Sequence, residues 1–410
     1  MKRVSAAFLL SHRCLNRQAV TSKPTYYIKE CRKLLTEHIF SQKPGDVPVT
    51  ASTKLESRPM RVSFQQFILP LGSDPKVSEK YRSSTGSIRF GMILEDLDTF
   101  AVWLAYCHNQ GTGGDIGGKL PTHHPMALVT ACVDRIDLTI TEPLRSNRDI
   151  ILEGHVSWTG KSSLESTMCL RQETDSGDWD PVIDAKFVMV ALDPFSKRTT
   201  LVHPVHGETP EQESMIRLGE ENAALRKRQL EESLLRVPPN PLELADIHKL
   251  FQQTVDEGAH TFKHRILPPN YIWSEDCSLK NLLICFPQQQ NLYGKIFGGF
   301  LMRSAFELAW ANACVFSKTR PMVVSVDDIM FKKSVEVCYA KRNLMQVRVH
   351  AEVVNPEKGT QETTNTFHFT LRSGDGRPVP EVMPKTYADM MLYLSGKRHF
   401  DEAMKYHGAA

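Results

Sequence analysis

The sequence predicts an α+β fold made of two repeats, each with one long helix and several antiparallel strands. A glycine-rich turn that opens an apolar, helix-length run occurs twice, as SSTGSIRFG at 83–91 and as NLYGKIFGG at 291–299. Each run is followed by segments in which apolar and polar residues alternate with the period of two that β-strands require. This pattern is typical of a helix packed on an antiparallel sheet.

The first 29 residues have the composition of a mitochondrial transit peptide. They contain no acidic residue before Glu30, and they combine Ser, Thr and the apolar stretch AAFLL with six basic residues. The basic residues are Lys2, Arg3, Arg13, Arg17, Lys23 and Lys29. A disordered basic tail is the alternative interpretation. A helical or irregular lead-in is predicted to follow, up to about residue 62.

Composition argues against several classes of protein. The formal charge of the 410-residue chain is +3, and removal of the six basic residues turns it into −3, so nucleic-acid binding has no support. The longest apolar runs, such as LAWANACVF, are far shorter than the roughly 18 residues of a membrane span. The nine cysteines include no CxxC pair. This argues against a disulfide framework and a zinc site, and it indicates a reducing compartment.

The two repeats match beyond the glycine turn, where Gly91 aligns with Gly299. The predicted helices are MILEDLDTFAVWLAYCH and FLMRSAFELAWANACVF. Each helix leads to a strand with a V-D-x-I core, CVDRIDL from Cys132 and SVDDIMF from Ser325. Later strands are IILEGHVSW and DAKFVMVAL in the first repeat, and MQVRVHAEV and ETTNTFHFTL in the second. The chain therefore contains an internal duplication.

The duplication sets the predicted domain boundaries. We expect a first domain at 62–195, a charged helical linker at 196–270 and a second domain at 271–400. The linker contains the sequence TPEQ from Thr209, a pattern that starts helices, followed by a highly charged helical stretch. We expect this helix to be a solvated connector.

The glycine turns suggest a binding site for a partly negative oxygen. The first backbone N–H groups of a helix have no intrahelical acceptor and carry partial positive charge. Glycines at this point allow a ligand to approach the backbone closely. The turns lack the GK[ST] of a P-loop and the GxGxxG of a dinucleotide site, so they are not typical nucleotide motifs.

Several motifs resemble the hotdog-fold acyl-coenzyme A thioesterases. The pattern N-x-x-G-x-x-[HF]-G-G opens the second helix, and the first helix begins with IRFG-x-ILEDLD. HVSWTGKSS at 155–163, KIFGGFLMR at 295–303 and SVDDIMF at 325–331 also agree, in the same order. Over most of residues 62–400 the sequence is similar to the mitochondrial members of this family that carry two hotdog domains in one chain.

This resemblance implies a fold and an activity. Two tandem hotdog domains would form an intramolecular pseudo-dimer with a continuous antiparallel sheet, which also covers exposed sheet edges. The chain would hydrolyse acyl-coenzyme A to free fatty acid and coenzyme A in the mitochondrial matrix. No metal and no cofactor is required, because coenzyme A is part of the substrate. A homo-oligomer, often a trimer of tandem units, is expected.

The second repeat supplies part of the implied active site. Thioesterases of this kind use an Asn or Gln and a backbone N–H on the glycine turn of one repeat, with an Asp or Glu from the other repeat. The second repeat has Asn291, Gly298 and Gly299. Seven residues after Gly299, however, it has Phe306 instead of an acid.

The first repeat supplies the missing part. It has Ser83 and Phe90 at the positions of the Asn and of the first glycine, but seven residues after Gly91 it has Asp98. Asp98 would lie about 10 Å along the helix from its own helix start, at ~1.5 Å per residue. Such an acid suits a carbonyl held by a neighbouring helix start better than one held by its own. One composite active site per domain pair follows.

Each of these residues has an implied role. The N–H of Gly298 would hold the thioester oxygen, and Asn291 would orient water or the thioester. Asp98 would act as a general base on water or as a nucleophile that forms an anhydride, and both roles stay open. Lys161, Ser162 and Ser163, in the TGKSS hairpin, would contact coenzyme A. A solvated turn is the alternative for Lys161.

Other functions are weighed against this one. A non-catalytic acyl-coenzyme A binding or scaffold protein is the main rival, and a hotdog hydratase is disfavoured because its usual His at the helix start is absent. Glu307 follows the acid position of the second repeat by one residue, and a helix turns ~100° per residue, so it is expected to face elsewhere. The absence of GxSxG argues against a serine-nucleophile thioesterase.

Overall fold

The chain forms two compact units. A computed structural model describes residues 26–41, 55–84, 86–111, 126–138, 144–194, 196, 198–256, 258, 261–286, 289, 296–331, 335–355 and 360–407. Unit 1 comprises the described residues up to Ala223 together with Ile284–Ser304. Unit 2 comprises Ala224–Leu283 and the described residues from Ala305 onward. The first turn of the second repeat's long helix thus belongs to unit 1.

Helices and strands follow the predicted order closely. The described α-helices are α1 (Ile28–Ser41), α2 (Pro75–Tyr81), α3 (Phe90–Gln110), α4 (Pro210–Glu231), α5 (Pro241–Gln252), α6 (Gly298–Ser317) and α7 (Tyr387–Tyr406). The strands of the first half are β1 (Arg58–Pro59), β2 (Gln65–Leu69), β3 (Ala127–Leu138), β4 (Ile150–Thr159), β5 (Ser163–Glu173), β6 (Trp179–Leu192) and β7 (Val205–His206). Those of the second half are β8 (Tyr271–Trp273), β9 (Ser278–Leu279), β10 (Met322–Phe331), β11 (Val335–Lys341), β12 (Leu344–Asn355), β13 (Thr360–Arg372) and β14 (Glu381–Met383).

Unit 1 has a sheet with α3 packed against it. The strands are antiparallel neighbours in the order β2-β4-β5-β6-β3. Helix α3 contacts the four strands β3 to β6. A Cβ added at Gly154 of β4 would lie 2.8 Å from Leu104 Cδ1, so the glycine lets the helix approach the sheet closely. The predicted arrangement of one helix on an antiparallel sheet is confirmed here.

Helix α3 is buried on nearly all sides: every residue of Phe90–Gln110 except Met92 is buried, and most of them are apolar, which is typical of a core helix. Phe100 packs edge-on against Phe67 of β2, with ring centroids 5.6 Å apart. Burial of each large apolar side chain contributes about 1.5–3 kcal/mol. The helix ends at Gly111, whose φ of 74° is the left-handed conformation that glycine adopts at low cost. Any carboxylate that faces inward from α3 is thus removed from water.

Unit 2 repeats the strand order of unit 1. Its main strands are antiparallel neighbours in the order β9-β11-β12-β13-β10. If the five strands of each unit are numbered 1 to 5 along the chain, their order across the sheet is 1-3-4-5-2 in both units. Phe306 of α6 packs edge-on against Phe369 of β13, with ring centroids 5.6 Å apart. The shared topology agrees with the internal duplication that the sequence predicts.

The linker contains more structure than one charged helix. Thr209 Oγ1 accepts a hydrogen bond from the backbone N–H of Gln212 at 3.3 Å, which agrees with the predicted helix start. Helix α4 does not behave only as a solvated connector, because Gly219 is buried against Trp158 of β4. A second helix, α5, begins at a capping box formed by Asn240 and Glu243. The linker therefore includes packed elements.

Both ends of the described chain extend past the predicted boundaries. The N–H of Ile68 donates to the carbonyl oxygen of Tyr26 at 2.9 Å, and Tyr27 pairs with Ile68. Ile28 and Cys31 of α1 are buried. The predicted transit segment, 1–29, thus ends inside a packed helix. At the other end, α7 continues beyond residue 400 and packs on β11, β12 and β13. Among the described helices, none is long and apolar enough to cross a membrane.

Candidate active site

A buried carboxylate, that of Asp98, meets the second glycine turn within unit 1. Its side chain lies on α3 and is 1% exposed. Oδ2 accepts a hydrogen bond from the backbone N–H of Gly299 at 2.7 Å. Oδ1 accepts one from Thr130 Oγ1 of β3 at 2.5 Å. Both oxygens accept, as an ionised carboxylate does. The structure thus brings together Asp98 from the first repeat and the glycines from the second.

The two glycines of this turn are needed because of what lies beside them. A Cβ at Gly298 would lie 3.3 Å from Asp98 Oδ2. A Cβ at Gly299 would lie 3.1 Å from both the Cα and the carbonyl oxygen of Glu95, which are backbone atoms and cannot turn away. Glycine lets the start of α6 approach α3 without these clashes. The close approach allows the Gly299 N–H to reach Asp98.

The environment of Asp98 makes it more basic than an ordinary aspartate. Burial raises the pKa of Asp98 from 3.8 to about 6, against the hydrogen bonds from Thr130 and Gly299, which lower it. The start of α6 also carries the partial positive charge of a helix amino terminus, which favours a nearby carboxylate. At neutral pH the group is therefore ionised and able to accept a proton.

Thr130 is a candidate site residue that the sequence analysis did not identify. The two V-D-x-I strands can be aligned in sequence, and in that alignment Thr130 corresponds to Val323. The first repeat has Asp98 and Thr130 where the second repeat has Phe306 and Val323. The acid and its hydrogen-bond donor thus diverge together, and that paired difference was available in the sequence.

Two comparisons with known proteins decide the family. Human acyl-coenzyme A thioesterase 9, mitochondrial, is 44% identical over 382 residues, which cover 91% of this chain and 82% of the human protein. Mouse acyl-coenzyme A thioesterase 10, mitochondrial, is 43% identical over 381 residues, with 90% and 82% covered. The chain belongs to the acyl-coenzyme A thioesterase family. The word mitochondrial in these names supports a mitochondrial location for this thioesterase. No family model matches the sequence.

Solved structures show weaker similarity to the thioesterase chain. An apo-hexameric acyl-CoA thioesterase has 22% identity and a TM-score of 0.33, covering 43% of this chain and 98% of its own. An acyl-CoA hydrolase from Staphylococcus aureus, solved with butyryl coenzyme A and coenzyme A, has 19% identity and a TM-score of 0.33, covering 43% and 92%.

A second buried acid lies two residues from Asp98 on α3 of the thioesterase. Asp96 Oδ2 accepts a hydrogen bond from Tyr81 Oη at 2.5 Å. Burial raises the pKa of Asp96 to about 7, against the Tyr81 hydrogen bond. Two residues along a helix correspond to a turn of ~200°, so the two acids point to different sides of α3. Asp98 is the one that meets the glycine turn.

The remaining predicted site residues have different outcomes. Asn291 lies outside the described residues, so its role stays a prediction. Lys161, Ser162 and Ser163 lie at the hairpin between β4 and β5, as predicted, and Lys161 is exposed. The carbonyl oxygen of Ser162 accepts from the N–H of Ala191 at 2.8 Å. The contact of this hairpin with coenzyme A stays a prediction.

The equivalent acid position of the second repeat is filled by a core residue. Phe306 is 6% exposed and packs on Phe369. Glu307, the alternative acid, is exposed on α6. In the first repeat, Ser83 Oγ lies 2.8 Å from Ser87 Oγ. Among the described residues of the thioesterase, no group of three or more His, Cys, Asp or Glu side chains is arranged to hold a metal ion.

Proposed function

We propose that the chain hydrolyses acyl-coenzyme A to free fatty acid and coenzyme A where Asp98 meets the Gly298–Gly299 turn. The observation that carries this proposal is the 2.7 Å hydrogen bond from the Gly299 N–H to the buried Asp98 carboxylate. An acid and a helix start from different repeats are needed for a composite site, and here they lie within hydrogen-bond distance. Family membership supports the same reaction.

The glycine turn would stabilise the charge that develops on the substrate. Helix α6 begins at Gly298, and the first N–H groups of a helix have no intrahelical acceptor. The Gly298 N–H would hold the thioester carbonyl oxygen as it becomes an oxyanion. Loss of one such donor typically costs ~3 kcal/mol of activation free energy. The absence of a Cβ at this position leaves room for the substrate oxygen.

Asp98 would supply the base or the nucleophile. As a base, its carboxylate takes a proton from water while the water oxygen attacks the thioester carbon; the carbon–sulfur bond then breaks and the thiolate of coenzyme A takes up a proton. As a nucleophile, the carboxylate displaces the thiolate and forms an anhydride, which water hydrolyses. A pKa of about 6 suits either role at neutral pH. Asn291 would orient the water or the thioester.

The coenzyme A portion would be bound at the hairpin of Lys161, Ser162 and Ser163. Lys161 is exposed in the hairpin between β4 and β5, so its ammonium group is accessible to a phosphate. The two serine hydroxyls add polar groups beside it. Neither the general-base route nor the anhydride route needs a metal or a further cofactor.

The larger organisation belongs to the same proposal. Two hotdog domains would pair side by side as a pseudo-dimer with a continuous antiparallel sheet; the shared strand order and the need to cover sheet edges support this. Three such chains would form a trimer. The protein would act in the mitochondrial matrix after removal of an amino-terminal transit peptide.

The experiment is release of free thiol from acyl-coenzyme A of several chain lengths by wild type and Asp98→Ala. Wild type is expected to turn over, and the variant is expected to lose about 100-fold or more, in line with loss of a general base. Undiminished hydrolysis in the variant would remove the assigned role of Asp98. Tight binding of acyl-coenzyme A without turnover in wild type would favour a scaffold protein.

A further inference from the structure

An ion pair lies one helical turn from Asp98, within unit 1. Glu95, on α3, is three residues before Asp98, and its side chain is only 8% exposed. Its Oε2 accepts from Arg303 Nη1, in the first turns of α6, at 2.6 Å. Its Oε1 accepts from Arg32 Nη2 of α1 at 2.8 Å. Both carboxylate oxygens are thus held by guanidinium groups, which give the strongest hydrogen bonds to carboxylates.

The residues of this ion pair also pack against the glycines of the turns. Gly299 lies against Glu95, as its backbone contacts show. Reciprocally, a Cβ at Gly91 would lie 2.9 Å from Cγ and 3.3 Å from the carbonyl oxygen of Arg303. Glu95 and Arg303 are equivalent positions, because each follows the aligned glycine of its repeat by four residues. The helix starts therefore make the same contact in both directions.

Opposite charges at equivalent positions require that the two repeats differ. If both repeats carried Glu, or both carried Arg, the same reciprocal contact would bring like charges together. This difference accompanies the difference between Asp98 and Phe306, three residues further along each helix. The two repeats thus differ both at the position of the acid, Asp98 or Phe306, and at the charged position, Glu95 or Arg303.

The ion pair fixes the position of the α6 start along α3. Loss of Arg303 would leave Arg32 as the remaining guanidinium partner of the buried Glu95 carboxylate, and removal of one partner of a buried ion pair is strongly destabilising. Since Gly299 lies directly against Glu95, a shift of α6 changes the approach of the Gly299 N–H to Asp98. We propose that Glu95 and Arg303 are positioning residues for hydrolysis, which keep the glycine turn in register with Asp98. This inference rests on the proposed thioesterase function.

Charge reversal tests the proposal. In Arg303→Glu two carboxylates face each other, and we expect kcat to fall about 100-fold, the loss that an ångström of misplacement produces. The double variant Glu95→Arg with Arg303→Glu restores an ion pair and is expected to recover to within about threefold of wild type, a coupling that a double-mutant cycle measures. Arg32, whose side chain is 53% exposed, can turn toward water when residue 95 is an arginine.

A pH profile separates positioning from general stability. The charged groups that act on Asp98 are Glu95 on its own helix, which raises its pKa, and Arg32 of α1, which lowers it. Glu95→Gln is therefore expected to lower kcat and to move the acid limb of the kcat profile to lower pH. A residue that matters only for folding would lower the melting temperature and leave that limb in place.

A matched control is the ion pair of Glu153 and Arg171 in the same unit. Their side chains are 11% and 8% exposed, with Nε to Oε1 at 2.7 Å, so the pair resembles the Glu95 pair in burial. The variant Glu153→Gln with Arg171→Gln is expected to keep kcat within about twofold of wild type, because distant sites act independently.

The outcomes distinguish the two proposals. If wild type does not hydrolyse acyl-coenzyme A, the proposed function fails. If wild type is active and the folded Arg303→Glu variant keeps its kcat, or the double reversal shows no recovery, positioning by this ion pair is refuted. Recovery in the double reversal together with a shifted pH limb in Glu95→Gln supports it.

Discussion

Replacement of Asp98 by Asn is expected to lower kcat by about 100-fold or more and at the same time to stabilise the fold. Burial raises the pKa of Asp98 from 3.8 to about 6. At ~1.4 kcal/mol per pKa unit, the ionised carboxylate destabilises the native state by about 3 kcal/mol. Asn has nearly the same shape and keeps both contacts, since its oxygen accepts from Gly299 and its amide donates to the Thr130 hydroxyl. We expect a gain of about 2–3 kcal/mol for Asp98→Asn above pH 6.

The gain has a defined pH dependence. Because the folded pKa is raised, the native state binds the proton more tightly than the unfolded chain. The cost of the carboxylate is therefore absent below the ordinary value of 3.8, grows as pH rises, and is complete above about 6. The advantage of Asp98→Asn should be largest at pH 8 and much smaller at pH 4.5.

Thermal unfolding and thiol release measure both effects. A domain of 150–250 residues shifts by ~2–4 °C per kcal/mol, so the melting temperature of Asp98→Asn at pH 8 should rise by roughly 5–10 °C. Its kcat should fall by about 100-fold or more. Asp180→Asn, at an exposed position of β6, is the control and should change neither quantity. A variant that is less active and also less stable at pH 8 would refute the view that the ionised Asp98 carboxylate destabilises the native state.

Three further substitutions test other parts of the site. Thr130→Val removes the donor to Asp98 Oδ1 and should lower kcat by about tenfold or more, since a hydrogen bond to a charged group is worth ~1.5–3 kcal/mol. The acid limb of the kcat profile should move to higher pH, because this hydrogen bond lowers the pKa of Asp98. An unchanged profile would argue against the contact. Lys161→Ala should raise KM for acyl-coenzyme A more than for an acyl-pantetheine, which lacks the nucleotide phosphates, and equal effects would place Lys161 outside the binding site. Glu307→Gln should leave kcat unchanged in the same thiol assay, because this side chain is exposed; a large loss would indicate a second site.

Much of the fold was predictable because local patterns and the final packing agree. The helix predicted from Met92 begins at Phe90, and the strand predicted at 184–192 lies within β6. The internal repeat identified the two equivalent helices and the V-D-x-I strands. The family resemblance, placed on the alignment of Gly91 with Gly299, then predicted Asp98 as the acid that completes the second turn. The elements and the repeat need only periodicity and a comparison of the chain with itself, whereas the role of Asp98 also needs the pattern of the family.

The rest depended on contacts between distant parts of the chain. The donation from Thr130 to Asp98 spans a strand and a helix, and neither the alternation of β3 nor its composition specifies it. Arg32 lies in a lead-in whose sequence gave no sign that it reaches Glu95. The packing of α4 against Trp158, and of α7 on β11, β12 and β13, could not be predicted from the sequences of these helices. Long-range packing, more than secondary structure, limited the prediction.

The pH dependence of kcat in wild type and in Asp96→Asn tests most directly whether Asp98 is the reacting carboxylate. The pKa values of Asp98 and Asp96 are about 6 and about 7, and both acids lie buried on α3. kcat is measured with saturating substrate from pH 5 to 9. At pH values below about 6 we expect kcat to decrease in both proteins, because the Asp98 carboxylate must be ionised in each. A wild-type rate that stays constant down to pH 5, or an acid limb that disappears in Asp96→Asn, would contradict the assignment.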